Sequence, residues 1–121
     1  MKRVEAQLFE VPIQERPPIS ADALKPLPAP IPGPPGGSSP RDSATLVKTV
    51  ADARWVIFIL GHREAASAAE RNNLGCAYGR VGAWGTAAAT FAAAAKIATA
   101  EEKAVIRHNR GIADAATALD A

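Results

Sequence analysis

The sequence predicts an all-α domain of about four helices that follows an extended, proline-rich arm. All ten prolines lie at or before residue 40, whereas 23 alanines lie between residues 51 and 121. Proline fixes φ and lacks a backbone donor, and alanine has the highest helix propensity, so the two regions favour different backbones. Asp42-Ser43 then supplies good N-cap chemistry. We therefore place the arm at residues 1–42 and one helical domain at residues 43–121.

Composition and charge narrow the classes of function. The net charge is +2, and both signs are mixed through the helical region, which argues against nucleic-acid binding. The single Cys76 excludes an intrachain disulfide and a multi-cysteine metal site. The longest strongly apolar run, Trp55 to Leu60, has six residues, whereas a transmembrane helix needs about 20. With no visible secretory signal, we expect a soluble, cytoplasmic protein without cofactor, metal or small-molecule substrate.

The arm alternates proline with other residues. Proline stands at every second position from Pro26 to Pro34, which predicts an extended, polyproline-like backbone. Residues 36–39 then form a flexible joint of Gly and Ser. Two interpretations stay open: a linker or disordered tail, or a docking arm that lies along a partner. In the second interpretation, four apolar residues anchor the arm: Leu8, Phe9, Val11 and Ile13.

The first predicted helix begins at Asp42-Ser43 and ends at Gly61. One apolar stripe recurs along it at helical spacing: Leu46, Val50, Ala53, Ile57 and Leu60. The last turns are apolar on every side, so more than one side has to be buried, and a chain this small has little to cover them. We therefore predict an assembly interface made of five residues: Trp55, Ile57, Phe58, Ile59 and Leu60.

The next two predicted helices form a hairpin. The first runs from about residue 62 or 64 to 80, and the second from 84 to 98. Gly82 lies between them and permits the backbone angles of a short turn that other residues avoid. Three residues of the second helix should point toward the first: Ala87, Phe91 and Ala94.

The last predicted helix runs from about residue 100 to 119. Thr99 and Glu102 have the spacing of a capping box at its start. Three apolar residues, seven apart, predict its buried stripe: Val105, Ile112 and Leu119. Its Asn109-Arg110-Gly111 repeats the pattern of Asn73-Leu74-Gly75 from the hairpin, 36 residues later.

Residues 68–101 resemble the 34-residue tetratricopeptide repeat (TPR). Leu74, Gly75 and Tyr78 stand at its Leu-Gly-x-x-Tyr positions, and Ala87, Phe91 and Ala94 fill its later small and aromatic positions in register. There are two departures from the pattern: Arg71 replaces the usual Trp, and Thr99 replaces the usual Pro. The resemblance implies a short TPR-like array of helical hairpins, with one complete repeat and a partial second.

In this family the first helix of each repeat lines a concave surface that binds a partner. The resemblance therefore implies a groove lined by seven residues: Asn72, Asn73, Cys76, Arg80, His108, Asn109 and Ile112. Asparagine suits such a groove, because its amide can donate to and accept from an extended peptide backbone. The family's clamp for a C-terminal carboxylate uses several Lys and Arg. Only Arg80 is available here, which puts that activity in doubt.

No catalytic set is visible in the sequence. His62 and His108 lie 46 residues apart without an acidic partner at helical spacing, so we predict that the protein is not an enzyme. Fewer than about three repeats seldom bury enough surface alone, which predicts a protein partner or self-association. One hypothesis is an interaction module or adaptor that binds a protein segment. The other is a small structural accessory subunit of a larger complex, docked by its arm and its apolar leading helix.

Overall fold

The computed structural model describes residues 19–36 and 39–120, so the four predicted arm anchors lie outside the described residues. Helices make up most of the described chain, which confirms the all-α class. In chain order the elements are a 3-10 helix Ala21–Ala23, β1 Pro30–Ile31, β2 Arg41–Asp42, α1 Ser43–Leu46, α2 Val50–Leu60, α3 Ala68–Arg80, α4 Trp84–Ile97 and α5 Ala100–Asp120. The two short strands pair antiparallel, with Pro30 opposite Asp42 and Ile31 opposite Arg41.

The predicted first helix is in fact two helices. Asp42 caps α1 as predicted, since its Oδ1 accepts from the Ala44 N–H at 3.0 Å, but α1 ends at Leu46. Thr49 then has extended backbone angles, and its Oγ1 accepts from the N–H three residues later at 3.1 Å. This second N-cap starts α2. The prediction of one continuous helix is wrong because the apolar spacing continues through the break and hides the cap.

The start of α3 is also later than predicted. α3 begins at Ala68 rather than near residue 62 or 64. The Ser67 Oγ accepts from the Glu70 N–H at 3.1 Å, and the Glu70 Oε1 accepts from the Ser67 N–H at 2.9 Å. This capping box fixes the first turn of α3. Residues 61–67 therefore form the connection from α2.

α3 and α4 pack as the predicted hairpin. Gly82 has φ +85° in the turn between them, a conformation that glycine adopts without strain. Ala87, Phe91 and Ala94 are fully buried, as predicted. A Cβ atom on Gly75 would lie 2.5 Å from Cε1 of Phe91. The ring of Phe91 therefore packs directly on the backbone of α3.

α5 has the predicted capping box and a different buried face. The Glu102 Oε1 accepts from the Thr99 N–H at 2.9 Å, and the Thr99 Oγ1 accepts from the Glu102 N–H at 3.3 Å. The predicted stripe is wrong at Leu119, which is 56% exposed, whereas Ile112 is partly buried against the core. The buried residues are Ile106, Asn109, Ala113 and Ala116. The prediction followed large apolar side chains, whereas this face is completed by alanines and one amide. None of the described helices is both long and apolar enough to cross a bilayer.

The arm contributes to the core. Leu24, Ala29 and Ile31 are buried, and Leu24 and Ile31 belong to the same hydrophobic cluster as Phe91. The 3-10 helix contacts α3, and β1 contacts α1. Residues 19–32 therefore lie against the helices, and we call them the groove segment. They contain the 3-10 helix and continue as an extended backbone from Leu24.

Candidate functional site: an asparagine-lined groove

The groove segment lies over three asparagines on α3 and α5. Asn72 and Asn73 are on α3, and Asn109 is on α5; all three are fully buried. An amide side chain buried without partners is costly, by about 1–3 kcal/mol for each unsatisfied group. The amides of this groove have to be satisfied from within, and the groove segment supplies most of their partners.

Asn73 binds Leu27 through both groups of its amide. The Asn73 Oδ1 accepts from the Leu27 N–H at 2.8 Å, and the Asn73 Nδ2 donates to the Leu27 carbonyl at 2.5 Å. An antiparallel strand would bind Leu27 with the same donor and acceptor pair. The side chain of Asn73 therefore takes the place of a neighbouring strand.

Asn109 binds Lys25 in the same way. The Asn109 Oδ1 accepts from the Lys25 N–H at 2.7 Å, and the Asn109 Nδ2 donates to the Lys25 carbonyl at 2.8 Å. Asn72 adds a second donor to that carbonyl at 3.0 Å. The side chain of Lys25 is exposed, so the groove holds the backbone of this residue and leaves its side chain free.

Ala29 extends the pattern onto α1. Its N–H donates to the Asp42 Oδ1 at 2.9 Å, and its carbonyl accepts from the Ser43 N–H at 2.9 Å and the Ser43 Oγ at 2.6 Å. Lys25, Leu27 and Ala29 are thus bound through both backbone groups. The residues between and after them, Pro26, Pro28 and Pro30, have no N–H to donate.

The groove side chains are also bonded to one another. The Asn109 Nδ2 donates to the Asn72 Oδ1 at 2.8 Å, and the Asn73 Nδ2 donates to the Ser43 Oγ at 2.8 Å. The Asn72 Nδ2 also donates to the Asn73 Oδ1 at 3.3 Å. No buried side-chain nitrogen or oxygen in the described residues lacks a partner. Such a connected, satisfied network holds each amide in one orientation.

Arg80 and His108 hold the N-terminal part of the groove segment. The Arg80 Nη2 pairs with the Asp22 Oδ1 at 2.6 Å, and the Arg80 Nε donates to the Val47 carbonyl at 3.0 Å. The hydrogen bond and the charge of Arg80 lower the pKa of Asp22. The His108 Nε2 lies 2.9 Å from the Ala23 carbonyl. Because a carbonyl oxygen can only accept, this nitrogen carries the proton.

Cys76 and Ile112 line cavities beside the segment. Cys76 is 2% exposed, and its Sγ lies 3.9 Å from the Asn109 Nδ2. Burial raises the pKa of the Cys76 thiol to about 12, so the thiol is protonated at neutral pH and is a poor nucleophile. It borders a cavity of about 160 Å³ under Leu24 and Pro26. Ile112 borders an open, mostly apolar depression of about 500 Å³ beside residues 19–23.

The structure therefore brings all seven predicted groove residues to one face. Five of them donate to or accept from the groove segment, and Cys76 and Ile112 lie beside it. No cluster of three metal-ligating side chains occurs in the described part of the chain. The arrangement can bind an extended backbone by hydrogen bonds.

The residues of the predicted assembly interface are only partly exposed. Leu60 is 1% exposed and belongs to the core, and Ile57 and Ile59 are partly buried against it. The Trp55 Nε1 donates to the Pro32 carbonyl at 2.8 Å. Phe58 is 62% exposed, with its ring centroid 5.6 Å from that of Trp55. The arm and the later helices cover most of this run, so the predicted shortage of covering chain is not observed.

Asp42 and Ser43 are the functional residues that sequence reasoning missed. The sequence predicts only a helix N-cap for this pair, yet each residue also binds the backbone of Ala29. The alternation of prolines was the available signal. An extended segment that donates from every second N–H tolerates proline at the positions between, and that pattern was visible in the sequence from Pro26 onward.

No protein-family model matches the chain, and neither the curated proteins nor the solved structures give a match. The resemblance to tetratricopeptide repeats therefore depends on the residues of this chain, and the function has to be inferred from the groove.

Proposed function

We propose that the protein is a non-catalytic protein-interaction module of the tetratricopeptide type, whose groove binds an extended protein segment through its backbone. One observation supports this proposal most strongly. Asn109 binds both the N–H and the carbonyl of Lys25, and Asn73 binds both the N–H and the carbonyl of Leu27. The groove segment occupies the groove as a ligand in cis, and its geometry supports the proposal that a partner segment binds in the same way.

The chemistry of the groove favours binding over catalysis. Each amide offers one acceptor and two donors in a plane, which complements the N–H and carbonyl of a single peptide residue. The contacts involve backbone groups that every non-proline residue has, and the Lys25 side chain remains exposed. Such a groove tolerates variation at Lys25 and Leu27 while it fixes the register of the segment.

Occupation by the chain's own segment regulates access to the groove. A ligand tethered through a short linker has an effective concentration on the order of millimolar. A partner segment therefore competes with the cis segment. Its apparent Kd equals the intrinsic Kd divided by the fraction of molecules whose groove is open. A partner segment displaces the cis segment when its concentration is high or when a further contact outside the groove strengthens its binding.

The proposal is tested by converting the tether into a free ligand. A recognition site for a specific protease, inserted after Gly36, allows the folded full chain to be cut between the groove segment and the helices. We expect the cut chain to take up a fluorescent peptide of residues 19–32, seen as a saturable rise in anisotropy. Unlabelled peptide should reverse the rise.

A peptide of the same composition in scrambled order is the control and should not bind. The uncut chain should take up little labelled peptide, because its groove is occupied. A cut chain that keeps its helical circular dichroism yet shows no saturable uptake would contradict the proposal.

Phe58 supports a second candidate, an accessory subunit or self-associating protein that contacts its neighbour through α2. A phenylalanine 62% exposed beside Trp55 is a suitable centre for such a contact. Light scattering of the full chain and of Phe58→Ser tests it. A molar mass above that of the monomer for the full chain, reduced in Phe58→Ser, would favour this candidate. A monomeric mass for both proteins would exclude self-association.

A further inference from the structure

We propose that the partner of the groove is a segment of another protein in which proline stands at every second position, between residues that donate their N–H to the groove. This inference depends on the proposed function and specifies the class of ligand. In the numbering of the groove segment, the partner segment has proline at positions 26, 28 and 30 and apolar residues at positions 24 and 31. Position 29 is small, and positions 25 and 27 accept any residue that has an N–H.

The hydrogen bonds set the register of the prolines. The groove uses the N–H of Lys25, Leu27 and Ala29, at 2.7, 2.8 and 2.9 Å from their acceptors. No described hydrogen bond of the groove requires an N–H at the three positions that follow these residues, which are proline. A segment shifted by one residue would place prolines where the groove needs donors. Three acceptors would then lose their bond from the segment, and the Asn109 Oδ1 would have no other donor.

Two of the three prolines face away from the groove, and Pro26 borders the cavity beside Cys76. Pro28 and Pro30 are exposed, and Pro26 is half-buried. Proline restricts its own φ and disfavours α geometry in the preceding residue, so the free segment is already extended before it binds. The outer edge of the bound segment also lacks the donors that a further strand would need. An alternating-proline ligand is therefore both preorganised and protected from edge pairing.

The buried side chains set the remaining positions of the pattern. Leu24 and Ile31 are 7% and 2% exposed, and the small side chain of Ala29 is 4% exposed, so a larger side chain there would have to displace its neighbours. Lys25 is exposed and Leu27 is half-buried. The groove therefore selects apolar ends and one small residue, and it accepts many residues at positions 25 and 27.

The protease-cut full chain described above tests this inference with four labelled peptides of residues 19–32. They are the native peptide, the same peptide with Pro26, Pro28 and Pro30 changed to Ala, and the matched pair Leu27→Pro and Leu27→Ala. Each proline that suits its site strengthens binding by roughly two- to fivefold, through the smaller entropy of the free chain. We expect the triple-alanine peptide to bind at least roughly tenfold more weakly than the native one.

The matched pair isolates the register. Leu27→Ala keeps the N–H that Asn73 accepts and should bind within a few-fold of the native peptide, whereas Leu27→Pro removes it and should show no saturable binding. Equal affinities within this pair, or for the native and triple-alanine peptides, would overturn the inference while leaving the proposed function intact. Failure of the native peptide itself would instead remove the proposed function.

The arm of a second copy has the same chemistry as the partner segment we infer. Light scattering of the uncut chain over a range of concentrations separates these two sources of the ligand. A monomer throughout excludes a second copy as the occupant, and the four peptides then test the pattern of the ligand. A dimer that grows with concentration and disappears with Leu27→Pro in the full chain would assign the groove to a second copy and overturn the inference.

Discussion

Helices α3 and α5 contain the same Asn-x-Gly pattern, 36 residues apart. The asparagine makes equivalent contacts in both helices, whereas the glycine does not. The two asparagines bind the groove segment in the same way. The Asn73 Oδ1 accepts from the Leu27 N–H at 2.8 Å, and the Asn109 Oδ1 accepts from the Lys25 N–H at 2.7 Å. The glycines differ. A Cβ on Gly75 would meet the Phe91 ring at 2.5 Å, whereas a Cβ on the glycine of α5 would meet nothing within 4 Å.

The difference separates two causes of a repeated pattern. The asparagine faces the groove, and the groove segment runs past both helices, so its role is the same in each. Gly75 faces α4, which places a phenylalanine against it. In α5 the same residue, Gly111, lies on an open surface of the described chain. Binding and packing can therefore be tested separately on one pattern.

The largest expected effect comes from removing one amide. Asn73→Ala leaves the N–H and the carbonyl of Leu27 without their partners and removes a donor to Ser43, so we expect a loss of about 2–4 kcal/mol in the free energy of unfolding. Asn109→Ala should cost less, about 1–2 kcal/mol, because the Lys25 carbonyl keeps its bond to Asn72 at 3.0 Å.

Urea unfolding followed by circular dichroism measures both variants. A change in midpoint at a constant m value reports stability rather than an altered denatured state. The order of the two effects is the informative result. Asn109→Ala as costly as Asn73→Ala would mean that the Asn72 donor contributes nothing.

The glycines give the next largest effect, with opposite signs. Gly75→Ala places a methyl group against the fully buried Phe91, and we expect a net loss of about 1–2 kcal/mol after the gain in helix propensity. Gly111→Ala has open space around it, so it should stabilise the protein by about 0.5–1 kcal/mol. The difference in melting temperature between the two variants is the measurement. A stabilising Gly75→Ala would show that the close packing is absent.

The smallest effect concerns the ion pair at the N-terminal end of the groove segment. Arg80 lowers the pKa of Asp22 in the folded protein. The pair therefore contributes stability above the ordinary pKa of an aspartate, and this contribution is lost as pH falls through the lowered pKa. Asp22 is exposed, so solvent and salt weaken the effect.

Comparison of Asp22→Asn with the unmodified protein tests this contribution. The variant should be slightly less stable at neutral pH and low salt, and the gap should close at acid pH or in high salt. A gap that persists at high salt would mean that packing, and not charge, distinguishes the two proteins.

Much of the fold was predictable from local signals. The Gly82 turn, the inward residues of α4 and the capping box of Thr99 follow from short-range chemistry, and they are found where predicted. The boundaries near Thr49 and Ser67 differ from the prediction because apolar periodicity does not reveal the two further caps there. Caps are local signals as well, so the sequence contains the information for both boundaries.

The occupant of the groove was not predictable in the same way. Asn73 and Leu27 are 46 residues apart, and no periodicity connects an amide on a helix with a backbone group in the arm. Proline in the arm indicated an extended backbone but not a binding site for it. The signal becomes clear only when the N–H groups that remain between the prolines are matched with acceptors on β2, α3 and α5.

The most direct test of the central claim is amide hydrogen exchange by NMR on the full chain. Because Pro26, Pro28 and Pro30 have no amide proton, Lys25, Leu27 and Ala29 give the only signals from residues 25–30. If the asparagines hold this segment in the groove, these three amides exchange far more slowly than those of an unstructured peptide. The Leu27 amide should then lose more protection than the Lys25 amide in Asn73→Ala. Exchange of all three at the rate of an unstructured peptide would contradict the account.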